Sequence, residues 1–157
     1  MTDDPPRRTP ADTPLLLDAM LGKLATYLRM CGYDTTYALD RGVEADDGLL
    51  ELAREEDRLL VTRDSVLASR ADGLRLSSLD VTDQLRELAT AGFVLELSEP
   101  ARCAECNGEL VAVDENEETA EYAPDTDETR VWRCRDCSQY FWKGGHWASV
   151  EETLAGL

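Results

Sequence analysis

Residues 59–64 read LLVTRD. Leu59, Leu60 and Val61 form an apolar run of the right length for a buried strand, and the run passes through Thr62 and Arg63 straight into Asp64. A strand covered on both faces, as in a parallel sheet, is continuously apolar rather than alternating. A second stretch behaves the same way. After Pro14, residues 15–18 read LLLD, three leucines ending directly on Asp18. Two buried strands that each end on a carboxylate are the feature the rest of the chain has to explain.

Between the two strands lies AMLGKLATYLRMCGYD (19–34), with Leu21, Leu24, Ala25, Leu28 and Cys31 at helical spacing and Gly32 as its stop. TTYA (35–38) reads as a further strand. RGVEADDGLLELAREED (41–57) reads as a helix capped by Asp46, with Leu49, Leu50 and Ala53 as its buried stripe. Beyond LLVTRD come a short helix in SVLASRAD (65–72), a fourth strand in LRLSS (74–78), and a helix starting at Asp80 or Thr82 that carries Leu85, Leu88 and Ala89. VLEL (94–97) is either another strand or a connector. Strands alternating with helices predict an α/β unit with a mainly parallel sheet over residues 14–98. Residues 1–13 are polar and proline-rich and are expected to be a disordered leader.

Composition changes near Pro100. Residues 99–157 hold two CxxC pairs, CAEC (103–106) and CRDC (134–137), an acidic stretch DENEETAEYAPDTDE (114–128), and beyond that stretch the aromatics Trp132, Tyr140, Phe141, Trp142 and Trp147. Each pair sets two thiolates on one tight turn, half of a tetrahedron. Together Cys103, Cys106, Cys134 and Cys137 predict a closed four-cysteine zinc site of the structural kind, with no open position for catalysis. A redox CxxC pair is the other reading. The intervening segment is expected to form an extended β-hairpin. Cys31 stands apart on an apolar helix face and is expected to be packed.

The chain has 157 residues with 16 Lys+Arg against 33 Asp+Glu, a formal net charge of −17. That balance excludes a generic basic nucleic-acid face. The acids are spread along the chain, as in halophilic cytoplasmic proteins, whose self-repulsion is screened at molar salt where the Debye length is ~3 Å. No apolar run approaches the ~20 residues that span a bilayer, and no signal-peptide pattern is read, so the expected compartment is the cytoplasm.

In open α/β sheets, sites form outside the carboxyl ends of the strands. Asp18 and Asp64 would emerge on that edge, and the turn ALDRGVEA (38–45) is long enough to bring Asp46 to it. Carboxylates crowded together repel, and a divalent cation such as Mg²⁺ or Mn²⁺, which takes oxygen ligands, removes the conflict. Each acid could instead be a simple helix cap. Three caps account for the positions singly, but not for two apolar runs leading straight into acid. Other acid-based chemistries fit less well. An aspartyl-phosphate phosphatase needs a second aspartate where Met20 stands, no Gly-rich phosphate loop is present, and His146 is the sole histidine.

LLLDAMLGKLATYLRMCGYDTTYA (15–38), ADDGLLELA (45–53) and RLLVTRDSVLASR (58–70) together resemble the PIN-like ribonuclease domain family named for the C-terminal region of the Mut-seven exonuclease. RCAECNGEL (102–110) and WRCRDCSQYFWKGGHW (132–147) are similar to the zinc ribbon that follows the core in that family. The resemblance covers roughly residues 14–157. It implies a PIN-like sheet flanked by helices, metal-dependent RNA cleavage with RNA as partner, and Asp18, Asp46 and Asp64 as catalytic metal ligands, with Asp47 the neighbour in register. Lys23 and Arg63 would approach substrate phosphate. His146 would stack on or contact RNA, or cap the last helix. A fourth acid is often used in such domains; Asp40 and Asp83 are the candidates. The alternative from a different class is a non-catalytic RNA- or protein-binding module that retains the fold.

Overall fold

The two apolar runs that end on aspartate lie side by side. In the computed structural model, which describes residues 6–97 and 99–157, β1 (Leu15–Leu17) and β3 (Leu59–Thr62) pair in parallel, Leu15 level with Leu59 and Leu17 with Val61. β2 (Thr35–Tyr37) pairs with β1 and β4 (Leu74–Arg75) with β3, both in parallel, so the sheet order is β2-β1-β3-β4.

Side chains alternate across the sheet, and both faces are covered. Leu15, Leu17 and Val61 pack with Leu24 and Leu28 of α1 (Gly22–Met30) and Leu85 and Leu88 of α4 (Val81–Thr90). Leu16 and Leu60 pack on the other side with Leu49, Leu52 and Ala53 of α2 (Asp46–Glu55) and Leu67 of α3 (Ser65–Ala71). Burial on both faces is why neither run alternates with polar residues. The expected mixed α/β architecture with a parallel sheet is the one the chain adopts.

Local signals fall as read at several places. Asp80 caps α4, its carboxylate accepting from Thr82 N at 3.0 Å and Asp83 N at 3.3 Å. Gly32 ends the first helical segment with φ +95°. One cap is displaced. Asp46 does not cap α2; Ala45 holds the cap position without a side-chain bond, and Asp46 and Asp47 sit inside the first turn. There they face the positive end of the helix dipole, which favours acid without a capping bond. In α2, Leu52 takes the buried place expected of Leu50, which is half-buried.

VLEL is a connector: Phe93 bridges to Arg8, and residues 94–97 are in no strand. Of the expected leader, residues 1–5 lie outside the described residues. Arg8 is bonded into the domain: its N–H donates to Gly92 O at 2.9 Å and its carbonyl accepts from Val94 N at 2.9 Å. The Tyr33 hydroxyl bonds Arg8 O at 3.0 Å and Val94 O at 2.8 Å. Main-chain pairing of this kind is open to any residue, so composition gave no sign of it.

The tail forms an antiparallel sheet of β5 (Leu110–Ala112), β6 (Trp132–Cys134) and β7 (Tyr140–Phe141), followed by α5 (Gly145–Ala155). The hairpin expected across the acidic segment is short. Pairing stops after Val113 N donates to Val131 O, and the segment beyond is built of turns. Like charges directly opposite each other on paired strands are destabilising, and this segment offers little else.

The tail docks where the main sheet needs cover. β2 is an edge strand, and an open edge exposes unpaired backbone groups. Thr35 N–H donates to the Asn107 side chain at 2.9 Å, and Thr35 C=O accepts from Arg29 Nε at 2.9 Å. Arg29, buried within α1, also donates to Ala104 O at 3.0 Å. Asn107 Nδ2 donates to Asp34 Oδ1 at 2.7 Å, and Arg58 Nη1 reaches the same oxygen at 2.9 Å. These donors hold the Asp34 carboxyl below its usual range against the opposing effect of burial. Docking is therefore at the start of β2, level with Leu15, while Asp18 and Asp64 lie beyond the other end of the strands.

Candidate active site and metal centre

A sheet ordered β2-β1-β3-β4 has its switch point between β1 and β3. The chain leaves β1 toward α1 on one face and β3 toward α3 on the other, which opens a crevice at the carboxyl ends. Asp18 and Asp64 stand at that crevice. Register and the period of two put Asp18 level with Thr62, on the α2/α3 side of the sheet.

Thr62, fully buried, is the link between them. Its Oγ1 donates to Asp18 Oδ2 at 2.7 Å and accepts from Asp64 N at 3.1 Å. The other Asp18 oxygen accepts from Ala19 N at 2.7 Å, capping the turn Ala19–Leu21 that leads into α1. Asp18 is 8% exposed. The turn is held from β2, where the Tyr37 hydroxyl donates to Ala19 O. Burial, with the nearby Asp40 and Asp18 charges, raises the Tyr37 pKa and keeps that donor protonated. Gly22 makes room for it: a Cβ there would lie 3.0 Å from the Tyr37 hydroxyl.

Asp64 is exposed and caps α3, Oδ1 accepting from Val66 N at 2.9 Å and Leu67 N at 3.1 Å. Among the described residues its Oδ2 has no hydrogen-bond partner, and neither Asp46 oxygen has one. Asp46 is exposed at the start of α2, the helix packed beside α3. Asp47 is engaged elsewhere, bonded to Arg70 of α3 at 2.9 Å.

Asp18 and Asp64 share the edge where β1 and β3 end, but the oxygens of the three carboxylates do not gather into one tight cluster. Among the described residues, the single group of three or more His, Cys, Asp or Glu with ligand atoms all within 4.8 Å of one another is the four cysteines. The donors are nonetheless of the kind a hard divalent cation takes: all oxygen, with Asp64 Oδ2 and both Asp46 oxygens without hydrogen-bond partners among the described residues. Mg²⁺ keeps several of its waters and is commonly bound through one or two carboxylates.

The basic candidates divide. Lys23 is exposed in the first turn of α1, with no acidic partner among the described residues. Arg63 lies between Thr62 and Asp64, its Nη1 3.8 Å from Met20 Sδ and its Nε buried without a partner. His146 is not at this edge; it lies at the start of α5 beside Trp147 and lines a cavity against α1. Asp40 is paired with Arg29 at 3.4 Å, and Asp83 is on α4, on the opposite face of the sheet, paired with Arg86 at 2.7 Å.

In the tail the four sulfurs already converge. Cys103 Sγ lies 3.6 Å from Cys137 Sγ, and Cys106 Sγ lies 3.5 Å from Cys134 Sγ. A tetrahedron with Zn–S bonds of ~2.3 Å has edges of ~3.8 Å, so the four can hold a structural metal such as zinc. Asn107 and Ser138 have φ of +71° and +65°, which turns each knuckle. Gly108 lets the two meet: a Cβ there would sit 2.7 Å from both Cys134 Sγ and Asp136 Oδ2. Burial pushes the Cys103 thiol up. Burial opposes ionisation of Cys134 as well, but the Cys137 and Asp136 N–H groups aimed at its sulfur, at 3.5 and 3.4 Å, hold it below the ordinary thiol value.

Thr62, Tyr37 and Asn107 were not singled out from the sequence as site residues. Thr62 had a signal: in a strand otherwise apolar, a hydroxyl level with Asp18 in a parallel register points at it. Tyr37 and Asn107 act through tertiary neighbours and left none.

The Mut7-C RNAse domain family matches residues 13–154, nearly the whole chain, and the chain belongs to that family. It matches no curated protein and no solved structure. Among the described residues no helix is long and apolar enough to cross a membrane.

Proposed function

We propose that this chain is a metal-dependent ribonuclease acting at the crevice between β1 and β3. The observation that carries the reading is the Thr62 hydroxyl, bonded at once to the Asp18 carboxylate and to the backbone N–H of Asp64 at the switch point of the sheet. Asp18, Asp46 and Asp64 are the residues that would hold Mg²⁺ or Mn²⁺. Such an ion, when bound, aligns a water with the phosphorus and neutralises charge in an in-line displacement. The buried Asp18, fixed by Ala19 N and Thr62, supplies an oxygen that cannot swing away. Asp64 presents its free Oδ2 from a cap whose Oδ1 is occupied. Arg63 and Lys23 would bind the phosphate, Arg63 through its terminal guanidinium nitrogens, since its Nε is buried. Zinc in the four-cysteine site holds the tail together and takes no part in the chemistry.

A second reading has one observation in its favour. The carboxylates are not gathered into a ready site, as a module that binds RNA or protein without cutting would allow. A nuclease assay on single-stranded and structured RNA separates the two. Because the net charge of −17 suits a salt-rich compartment, the assay belongs in high KCl, with Mn²⁺ and with EDTA. Cleavage that requires Mn²⁺ is expected; RNA left intact in both conditions supports the binding module.

A further inference from the structure

A cavity of about 270 Å³ lies between α1 and the tail, apart from Asp18, Asp46 and Asp64 and beside the first cysteine knuckle, whose Ala104 and Glu105 help to line it. Thr26 and Met30 of α1 form one wall, and Tyr140, Phe141, Trp142 and Trp147 line the other. The tail sorts its aromatics between two tasks. Trp132 is buried in the small core beside Cys103 and Cys134, whereas the four cavity rings are only half-buried. The wall is braced from behind. Tyr122, from the acidic segment, packs on Tyr140 and Trp142 with ring centroids 6.1 and 6.3 Å away, and its hydroxyl accepts from Tyr140 N at 2.9 Å. Gly144 allows the Trp142 indole to lie close, since a Cβ there would be 2.6 Å from its Nε1. The polar residues at the cavity, Arg102, Glu105, Gln139 and His146, supply both donors and acceptors.

The cavity is joined to the carboxylate edge by α1. Lys23, Thr26 and Met30, spaced by three and four residues, share one face of that helix. At 1.5 Å per residue, Lys23 and Met30 are about 10 Å apart along it. Lys23 is one turn from the Asp18 cap, and Met30 is in the cavity wall. A chain laid along this face from Asp18 passes the exposed Lys23 ammonium and reaches the aromatic cavity within a few nucleotides.

We propose that the cavity receives one unstacked base of single-stranded RNA; the assignment of RNA rests on the ribonuclease reading above. The volume is below that of pockets for drug-sized ligands, about 300–1,000 Å³, and suits a single ring system. Flat faces with a rim of mixed donors and acceptors match a base, whose Watson–Crick edge carries both. An apolar peptide side chain would use the rings but leave that rim unmatched. The charge also favours stacking. A chain of net charge −17 gains little from counterion release, and stacking on aromatic faces does not depend on it.

The test uses the full zinc-loaded chain carrying Asp64→Asn, so that RNA survives, and measures anisotropy of a labelled single-stranded oligonucleotide anchored by a short duplex at one end. A single abasic position is walked along the strand. One position, a few nucleotides from the cleaved bond, is expected to lose roughly tenfold in affinity, as loss of one stacked base does. Adding Trp147→Ala should weaken the intact strand by a similar factor and abolish the dependence on abasic position, with zinc content and melting temperature unchanged. A flat abasic walk overturns the proposal, even if Trp147→Ala proves unstable. Binding indifferent to Trp147→Ala overturns it too, and leaves the cavity to a protein partner. Parallel cleavage by the unsubstituted chain keeps the two readings apart. A positional loss without cleavage sustains the base site and removes the nuclease, while cleavage with a flat walk does the reverse.

Discussion

The four cysteines and the three aspartates are two answers to the problem of bringing like groups together. In the tail, each pair of thiols is fixed by a tight knuckle, and the absence of a side chain on Gly108 lets the knuckles close until sulfurs sit 3.5–3.6 Å apart. At the sheet edge each carboxylate is held by its own neighbourhood: Asp18 by Ala19 and Thr62, Asp64 by Val66 and Leu67, Asp46 by its place in α2. Local spacing alone can assemble the first site. The second needs the whole sheet, which brings Asp18 and Asp64 to one edge without gathering the three carboxylates into a cluster.

The contrast is broken most forcefully at zinc. One zinc per chain is expected on elemental analysis, and Cys134→Ser should lose it. A structural zinc site of this kind contributes apparent binding free energies of ~10–16 kcal/mol in small peptides, so the tail should unfold while the α/β core retains its helix signal by circular dichroism. A smaller effect tests whether the knuckles meet as described. Gly108→Ala replaces no ligand, but its Cβ would press on Cys134 Sγ, so it should weaken zinc binding and lower stability by about 1–3 kcal/mol, the usual cost of overpacking.

Next in size is the joint between the two regions. Asp34→Ala leaves the Asn107 and Arg58 donors without their shared acceptor, which should cost about 1–3 kcal/mol in a denaturant titration. The same joint gives a pH dependence. The folded-state pKa of Asp34 lies below its unfolded value. Its contribution is therefore present above the ordinary aspartate range, near 3.9, and is lost as pH falls through the depressed value. Docking of the tail should weaken only in that acid window and be insensitive to pH at neutrality. Smallest in stability is Thr62→Val, near 1 kcal/mol for one hydrogen bond. Its effect on cleavage should exceed its effect on melting, because it unties Asp18 from Asp64.

Much of this was legible before the fold was known. LLVTRD and LLLD announced two strands buried on both faces, and CAEC with CRDC announced the four-thiol site. Patterns of that sort are local or periodic. What escaped was tertiary. Composition in the first residues could not reveal that Arg8 pairs with Gly92 and Val94, nor could a lone asparagine after a knuckle reveal that it covers the β2 edge. Asp46 misled as a cap because a carboxylate inside the first turn gains from the same helix field without a capping bond. The candidate acids could be named from the sequence, but their separation could not, since it depends on rotamers and hydrogen bonds contributed by Thr62 and the α3 N-terminus.

The central claim is that the β1–β3 edge carries metal-dependent chemistry, and Asp64→Asn tests it most directly. Asparagine caps a helix about as well as aspartate, so α3 and the melting temperature should be nearly unchanged. The measurement is the rate of Mn²⁺-dependent RNA cleavage by zinc-loaded wild type and Asp64→Asn, side by side in high KCl. Cleavage by wild type is expected, with a fall of orders of magnitude in the variant and RNA affinity in EDTA that is kept or improved as a negative charge facing phosphate is removed. Equal cleavage by both would contradict it and leave Asp64 a helix cap.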